Sequence, residues 1–373
     1  MMKLLQHLTL FSTLLFSAYL TAQDLKIYVS DAENFAPNTG KIIQYDIDGS
    51  NPQVFVDEEM SWPQDIVFIA DQNVVLISNL NSNRITRHNA STGAYIDDFA
   101  TVAGGPTRMQ IRPDGFLYVL QWSATDNNVL RYNLDGTFED EYTNTGVPRS
   151  IGMAWDDADN LYVSSFSQAN VTQFDSNGDE VGEFIDNAEL SGPTNLYIDG
   201  DGNFLVFDWN DGNIERYNGT GGHIDTFIDG LGQVEGVDFL PNGNSLIGNG
   251  STAEVKQYNT AGTFIENTVE TGAGGLEQPN AVVIFDRSTL SVPENGIASQ
   301  VFVTPSVSSK FSIHKNSLSN FSSVKVYNTL GLVVKEFSVY ETHWDASHLS
   351  EGIYFVVGMQ DGRKSTQKII VKK

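Results

Sequence analysis

A unit of 41 to 45 residues recurs along most of this 373-residue chain. The stretch 193–221, PTNLYIDGDGNFLVFDWNDGNIERYNGTG, shows its order: a proline, an apolar run, an Asp/Gly turn, a second apolar run, a polar loop, an alternating run and an Asn/Gly turn. The same order starts at Pro63, Pro106, Pro148, Pro193, Val234 and Pro279. Short β-type runs joined by such turns predict four antiparallel strands in each unit.

Four strands per 40–50 residues are typical of the blades of a β-propeller. A blade cannot bury both of its faces alone, so neighbouring blades stack around an axis. The unit that starts at Pro279 stops after residue 286, whereas the segment 25–31 begins with a second strand. Pairing of 25–31 with 279–286 would close the ring and remove its open edges. The sequence therefore predicts an all-β chain with a six-bladed propeller over residues 24–287, closed by strands from its two ends.

The repeated pattern P-x-x-apolar, D-x-x-G, apolar-Y-V and R/K-I-x-x-Y/F-D-x-x-G resembles the NHL-type repeat. It is also similar to the repeats of gluconolactonase-like and virginiamycin-lyase propellers. This resemblance implies the six-bladed fold over about 265 residues. It does not assign an activity, because such propellers include hydrolases, lyases and binding modules.

Charge and cysteine content exclude several functional classes. Residues 23–295 contain 11 Lys and Arg against 42 Asp and Glu. A domain so acidic repels phosphate backbones, so we expect no nucleic-acid partner. The chain has no cysteine, which excludes disulfides, zinc–thiolate sites and thiol catalysis.

The first 22 residues are typical of an export signal. Lys3 and His7 precede the apolar run LTLFSTLLFSAYL, which is followed by Thr21-Ala22-Gln23. The run is short for a membrane span and ends in small residues, so we expect cleavage after Ala22. We expect no transmembrane segment elsewhere in the chain.

The C-terminal part has a different composition. Residues 288–300 are small and polar and are predicted to form a linker, and residues 301–373 contain short alternating strands typical of a small β-sandwich. The stretches VKVYNTLGLVVKEF, LSEGIYFVV and KIIVKK resemble the type A C-terminal sorting domain of the type IX secretion system of Bacteroidetes-type bacteria. One departure is Thr304-Pro305-Ser306, where that family has a proline–asparagine–proline-like start.

The sorting resemblance implies that residues 301–373 interact with the type IX secretion machinery. It further implies passage across the outer membrane, removal of the tail, and a secreted or cell-surface protein. The alternative interpretation is an ordinary accessory β-domain.

The start of the first strand and the loop after the second strand of every blade face one end of the central channel, where propellers bind ligands. The positions after the opening proline are Gln64, Thr107, Arg149, Thr194, Glu235 and Asn280. The next positions are Asp65, Arg108, Ser150, Asn195, Gly236 and Ala281. These residues are the candidates for the channel site.

Lactonase-like propellers hold a divalent ion with residues from an E-G, a P-N and a P-D pair. Glu235-Gly236 and Pro279-Asn280 resemble two of these pairs, which implies a possible Ca²⁺ site at Glu235 and Asn280. The third pair is missing, and strand alternation places Asp65 on the opposite side. The alternative is a salt bridge of Glu235 or Asp65 with Arg108 or Arg149.

The virginiamycin-lyase family uses a basic histidine at the hub. The propeller sequence contains only His88 and His223, both predicted on outer strands or turns, so it departs from that family. No G-x-S-x-G, H-E-x-x-H or phosphate-loop motif is present. The catalytic residues, if any, stay unassigned.

Aromatic residues from different blades are predicted at the same rim: Trp62, Trp122, Phe166 and Trp209. Together with Asn195, Arg108 and Arg149 they suit a glycan or a peptide ligand. The alternative is that each ring packs on the core of its own blade. The sequence thus favours an exported binding module, with a divalent-metal-dependent lactonase or esterase of the gluconolactonase type as the second interpretation.

Overall fold

The computed structural model describes residues 23–186, 188–290, 301–314, 318, 321–338, 340–360 and 363–373. The predicted export signal and residues 291–300 of the predicted linker lie outside the described residues. The chain divides into two compact units, with the division between Leu290 and Ser291.

Within its described residues, the first unit contains 24 strands and four 3₁₀ helices. Strands of its first half are β1 (Leu25–Asp31), β2 (Lys41–Asp46), β3 (Gln53–Val56), β4 (Pro63–Ile69), β5 (Val74–Asn79), β6 (Arg84–Asn89), β7 (Tyr95–Thr101), β8 (Pro106–Ile111), β9 (Leu117–Gln121), β10 (Leu130–Tyr132), β11 (Phe138–Glu141) and β12 (Ser150–Trp155). Those of its second half are β13 (Leu161–Ser165), β14 (Asn170–Phe174), β15 (Glu180–Ile185), β16 (Pro193–Ile198), β17 (Phe204–Asp208), β18 (Asn213–Tyr217), β19 (His223–Ile228), β20 (Val234–Phe239), β21 (Ser245–Asn249), β22 (Glu254–Tyr258), β23 (Phe264–Val269) and β24 (Pro279–Asp286). The 3₁₀ helices are Ala70–Gln72, Leu80–Ser82, Ala273–Gly275 and Arg287–Thr289.

These strands form six four-stranded antiparallel sheets, which are the six predicted blades. Blade 1 has the order β24-β1-β2-β3, and blades 2 to 6 contain β4–β7, β8–β11, β12–β15, β16–β19 and β20–β23. The first strands of the blades contact one another in the order β24, β4, β8, β12, β16, β20 and back to β24. The first unit is therefore a closed six-bladed propeller, as the sequence predicts.

Ring closure depends on the pairing of the two ends of this unit. Strand β1 pairs with β24 over Leu25 to Asp31, with Val29 opposite Val282. Both valines are buried, and burial of such a side chain stabilises a fold by about 1.5–3 kcal/mol. The predicted closure is confirmed.

Burial along the strands follows their place in the blade. The second strands β5, β9, β13, β17 and β21 are buried at every residue, because neighbouring blades cover both of their faces. The fourth strands alternate toward solvent. Six apolar clusters fill the spaces between the blades; Phe174 is one of their largest fully buried side chains. Truncation of Phe174 to Ala is the kind of change that costs about 3–5 kcal/mol in a core.

Asp and Asn side chains fix the turns between strands. Asp175 Oδ1 accepts from the N–H groups of Asn177 (2.8 Å) and Asp179 (3.1 Å), and Gly178 adopts φ +83°. Asp199 forms the same arrangement with Asp201 and Asn203. These bonds explain why the repeat requires Asp or Asn followed by Gly.

The register of blade 4 corrects the sequence alignment. Ser150 pairs with Ser165 in the way that Pro106 pairs with Gln121, so Ser150 rather than Pro148 begins this blade. The hub positions of blade 4 are consequently Ile151 and Gly152, and Arg149 precedes the strand. The sequence alignment used Pro148 as the start of this blade. The first paired residue of a blade need not be a proline, and here it is Ser150.

The second unit has two sheets around one core. Its strands are β25 (Val303–Thr304), β26 (Val307–Ser308), β27 (Lys310–Ile313), β28 (Ser323–Asn328), β29 (Val333–Glu336), β30 (His343–Asp345), β31 (Gly352–Gln360) and β32 (Arg363–Val371). The sheets have the orders β25-β27-β30 and β26-β32-β31-β28-β29, and Phe302, Phe311 and Trp344 contribute to the core between them. These two sheets are the small β-sandwich that the sequence predicts.

Candidate ligand-binding site at the channel mouth

One backbone bond recurs at the same end of every blade. The residue after the second strand donates its N–H to the carbonyl of the residue before the first strand. These pairs are Ala32 to Gln278 (2.9 Å), Leu80 to Trp62 (3.1 Å), Trp122 to Gly105 (2.9 Å), Phe166 to Arg149 (3.1 Å), Trp209 to Gly192 (2.9 Å) and Gly250 to Gln233 (3.3 Å). The residues at these positions therefore encircle the channel mouth in two layers. One layer is formed by the residues after the second strands and the other by the residues before the first strands.

The last residue of the second strand holds the preceding loop in place. Asp208 Oδ2 accepts from Ser191 N (2.6 Å) and Gly192 N (3.1 Å), and Asn79 Oδ1 accepts from Ser61 N (2.9 Å). Asp31 does the same for Gln278 N (2.8 Å) in blade 1. Since these polar groups are buried, the bonds make the geometry of the mouth specific.

A cavity of about 290 Å³ lies at this mouth. It is lined by Phe35, Trp62, Gln64, Leu80, Trp122, Ile151, Phe166, Thr194, Trp209, Gln233 and Glu235. All four aromatic residues singled out in the sequence are among them. They are partly buried, and none belongs to the apolar clusters between the blades.

The aromatic side chains that line the cavity contact one another. The Phe35 centroid lies 4.7 Å from that of Trp62 and 6.3 Å from that of Trp209. On the other side, Trp122 and Phe166 are 5.5 Å apart. The aromatic residues thus pack against each other across blades rather than on the cores of their own blades.

Backbone strain concentrates at this rim. Trp62 (φ +55°), Arg149 (φ +50°) and Gln233 (φ +52°) occupy the left-handed region at equivalent positions, where blade 3 has Gly105 (φ +82°). A non-glycine residue there costs on the order of 1 kcal/mol, and such residues cluster at functional sites. Large side chains are retained at positions where glycine would be less strained.

The three polar residues predicted at the rim, Arg149, Asn195 and Arg108, do not line the cavity. The Arg149 guanidinium lies 5.4 Å from the Trp122 centroid, in cation–π geometry at the exposed rim. Asn195 is buried outside the cavity lining, and its Oδ1 accepts from Leu196 N (3.0 Å). Arg108 lies in the hub.

The hub contains a buried ion-pair network. Arg108 Nη1 donates to Asp65 Oδ1 and Arg108 Nη2 donates to Glu235 Oε1, both over 3.1 Å. Asp65 Oδ2 also accepts from Met109 N (2.7 Å). This is the salt-bridge alternative that the sequence left open. The register of β4 shifts between Pro63 and Asp65, so simple alternation, which places Asp65 on the other side, did not anticipate its part in this network.

Gln64 connects this network to the cavity wall. With its carboxamide in the orientation that satisfies both ends, its nitrogen donates to Glu235 Oε1 (2.9 Å). Its oxygen then accepts from Asn280 Nδ2 (2.6 Å) and Trp62 Nε1 (2.5 Å). Gly236 lets β20 approach β24, since a Cβ there would lie 2.6 Å from Val282 N. The hub thus holds Trp62 and Glu235 in fixed positions.

Burial changes the acidity of the hub carboxyls. Desolvation raises the pKa of Glu235 to about 8, against the opposing effect of Arg108, while Asp65 raises it further. Desolvation likewise raises the pKa of Asp65. Two carboxyls thus share one guanidinium, and a neutral form of one of them is accessible near neutral pH.

The residues around Glu235 and Asn280 do not fit a divalent cation. Both hub carboxylates already contact Arg108, which leaves few free oxygen atoms for a metal ion. Ca²⁺ takes about six to eight oxygen ligands. Within the described residues, no group of three or more His, Cys, Asp and Glu is arranged to hold a metal.

Sequence reasoning missed several lining residues. Leu80 is the blade 2 equivalent of Trp122, Phe166 and Trp209, and the alignment of second strands contained this signal. Phe35 lies in the loop after β1, which is the corresponding loop of blade 1. Ile151 was missed because the register of blade 4 was shifted by two residues.

Comparisons with known proteins bear on both units. Residues 302–372 match the family described as secretion system C-terminal sorting domain. A chain in the crystal structure of a nidogen/laminin complex is 15% identical with a TM-score of 0.57, covering 70% of this chain and 98% of that chain. A protein of unknown function from Bacteroides caccae is 15% identical with a TM-score of 0.55, covering 70% and 99%.

A putative gluconolactonase is 14% identical with a TM-score of 0.48, covering 57% of this chain and 80% of that one. At such identities, the first two likenesses show the propeller fold alone. No curated protein matches the chain.

In the part of the chain that the structure describes, no helix is long and apolar enough to cross a membrane. The C-terminal match shows the predicted sorting domain, which indicates export to the outside or the surface of the cell and interaction with the type IX secretion machinery.

Proposed function

We propose that this protein is an exported binding module whose ligand occupies the cavity at the channel mouth. The observation that carries the proposal is the convergence of five aromatic side chains on one cavity of about 290 Å³, outside the blade cores. Partly buried rings that face a cavity provide large contact area at little cost in conformational entropy. The ligand predicted from the sequence is a glycan or a peptide.

The strained rim supports the same function. Trp62 and Gln233 line the cavity in left-handed backbone conformations that glycine would adopt with less strain. Retaining a large side chain in such a position favours a role in ligand contact over a role in stability. The second interpretation, a metal-dependent lactonase or esterase, has no comparable support, because Arg108 is the cation that the hub carboxylates contact.

Export and processing complete the proposal. The sorting domain directs the propeller across the outer membrane, after which the tail is removed and the propeller is released or attached to the surface. Removal of the tail is checked by mass spectrometry of the exported protein, where a product that ends before Phe302 is expected. An exported product that retains residues 302–372 contradicts this step.

The binding function is tested with the chain that begins at Gln23, screened on glycan and peptide arrays. A double variant, Trp122→Ala with Trp209→Ala, removes two cavity walls. The matched control, Phe138→Ala with Ile224→Ala, removes two exposed apolar side chains from the outer strands β11 and β19. We expect the array signals to persist in the control and to fall at least tenfold in the cavity variant; equal signals in both variants contradict the proposal.

A further inference from the structure

The channel-mouth cavity has many aromatic faces and few free polar groups. The Gln64 carboxamide already bonds to Glu235, Asn280 and Trp62. Thr194 Oγ1 donates to Val234 O (2.7 Å). A sugar unit carries several hydroxyls, and burying them without partners costs on the order of 1–3 kcal/mol each. The lining thus favours a ligand with an apolar body and one polar group.

The free polar atom of the floor is an acceptor. Both described bonds of Glu235 go to Oε1, which leaves Oε2 for a ligand. At the rim, the carboxamide of Gln233 can donate as well as accept. The acceptor at the floor favours a ligand group that donates a hydrogen bond or carries positive charge.

The charges of the hub residues also favour a cationic ligand. Asp65 and Glu235 share the single guanidinium of Arg108, so the ionised hub has an excess of negative charge. Aromatic faces attract cations as well, and Arg149 demonstrates this at the same rim by its position over Trp122. An aromatic enclosure with an acidic floor is the arrangement that recognises alkylated ammonium groups.

We propose that the cavity binds the ammonium group of an organic cation, with the alkyl substituents against Trp62, Trp122 and Trp209 and the charge directed at Glu235. This inference rests on the proposed binding function and names its ligand chemistry. The ammonium group belongs either to a free small molecule or to a lysine side chain of a peptide. A neutral glycan is the competing outcome.

Binding of a cation should be coupled to loss of a proton. The charged groups that face Glu235 are Arg108 from β8 and Asp65 from β4; the neighbouring strands β16 and β24 present the uncharged Thr194 and Asn280. Because burial raises the pKa of Glu235 to about 8, a cation binds best once this carboxyl has ionised. Affinity should therefore rise about tenfold between pH 7 and pH 9.

The test is calorimetry of the chain that begins at Gln23, with choline and with its neutral carbon isostere 3,3-dimethyl-1-butanol at pH 9. We expect choline to bind on the order of tenfold more tightly, since the two probes differ in charge and not in shape. Equal affinity, or tighter binding of methyl glucoside, overturns the ammonium proposal while leaving the binding function intact. Choline binding that the Trp122→Ala/Trp209→Ala variant retains would instead place the site elsewhere.

Glu235→Gln separates charge from shape. The variant keeps the size of the side chain and its contacts with Arg108 and Gln64. We expect it to lose both the preference for choline and the pH dependence; a pH-dependent preference that persists in the variant contradicts the role of Glu235. Nα-acetyl-lysine methylamide and its Nζ-trimethyl form serve as the peptide probes, and tighter binding than choline assigns the ammonium group to a peptide ligand.

Discussion

Arg108 of blade 3 reaches across the channel to Glu235 of blade 6, with 3.1 Å between Nη2 and Oε1, although the two residues are 127 positions apart in the sequence. In a ring of six blades these two strands lie on opposite sides of the axis. The ion pair therefore closes the channel beneath the aromatic cavity, and it also includes Asp65 of blade 2. The floor of the candidate site is a link between three blades.

Replacing Arg108 by methionine should destabilise the propeller. The change leaves two buried carboxyls without a counter-charge, which costs about 3 kcal/mol or more. The loss should be larger at pH 8 than at pH 5, because the carboxyls can be neutral at the lower pH. Urea unfolding measures it. Arg84→Met, which breaks a more exposed pair with Glu59 and Asp98, should cost below about 1 kcal/mol; equal losses would contradict a buried hub network.

Stability should fall as the pH rises through the titration range of Glu235. Its folded-state pKa is raised from 4.5 to about 8, so the folded state holds a proton that the unfolded state has released across that interval. The resulting stability is present below about pH 4.5 and is lost by about pH 8, with a decrease on the order of 5 kcal/mol.

The Glu235→Gln variant should show a smaller decrease over the same range in urea unfolding from pH 5 to pH 9. Part of the slope should persist, because burial raises the pKa of Asp65 and Asp238 as well. Glu266→Gln, at an exposed position of β23, should keep the full slope. A wild-type slope in the Glu235 variant would show that this carboxyl does not titrate as proposed.

Gln233→Gly should separate ligand contact from stability. The left-handed backbone at this position favours glycine, and the side chain forms no hydrogen bond among the described residues. Stability should stay unchanged or rise by up to about 1 kcal/mol in thermal unfolding. Ligand affinity should fall, because Gln233 lines the cavity. A clear loss of stability would mean that the side chain has a structural role instead.

Calcium should neither stabilise nor bind the propeller hub. Arg108 contacts both carboxylates that a divalent ion would need, so we expect no heat in calorimetry with Ca²⁺ and no shift of the unfolding temperature. A chelator should likewise leave the unfolding temperature unchanged. A Ca²⁺-dependent shift that Glu235→Gln abolishes would restore the metal site inferred from the E-G and P-N pairs.

Deletion of residues 301–373 should prevent passage across the outer membrane. The deletion removes the second unit, and the first unit keeps its closed ring within residues 25–286. Fractionation of cells that express the full and the shortened chain measures the outcome. A shortened propeller found outside the cell would contradict the sorting function.

The sequence predicted the propeller because period, turn chemistry and strand patterning are local properties. Asp175 and Gly178 fix a turn within a few residues, and the interrupted unit at 279–286 predicted its pairing with 25–31. It also placed Trp122, Phe166 and Trp209 at one rim, because equivalent positions of repeated blades must share one end of the channel.

The amino-acid sequence alone thus determined the six-bladed ring, its closure and the sorting domain. Only the tertiary structure decided that Arg108 bridges Asp65 and Glu235, that Phe35 completes the aromatic enclosure, and that Ile151 rather than Arg149 faces the hub. The reason is physical. These contacts depend on distances across the axis and on register shifts of the first strands, and neither follows from the alternation of residues within a strand.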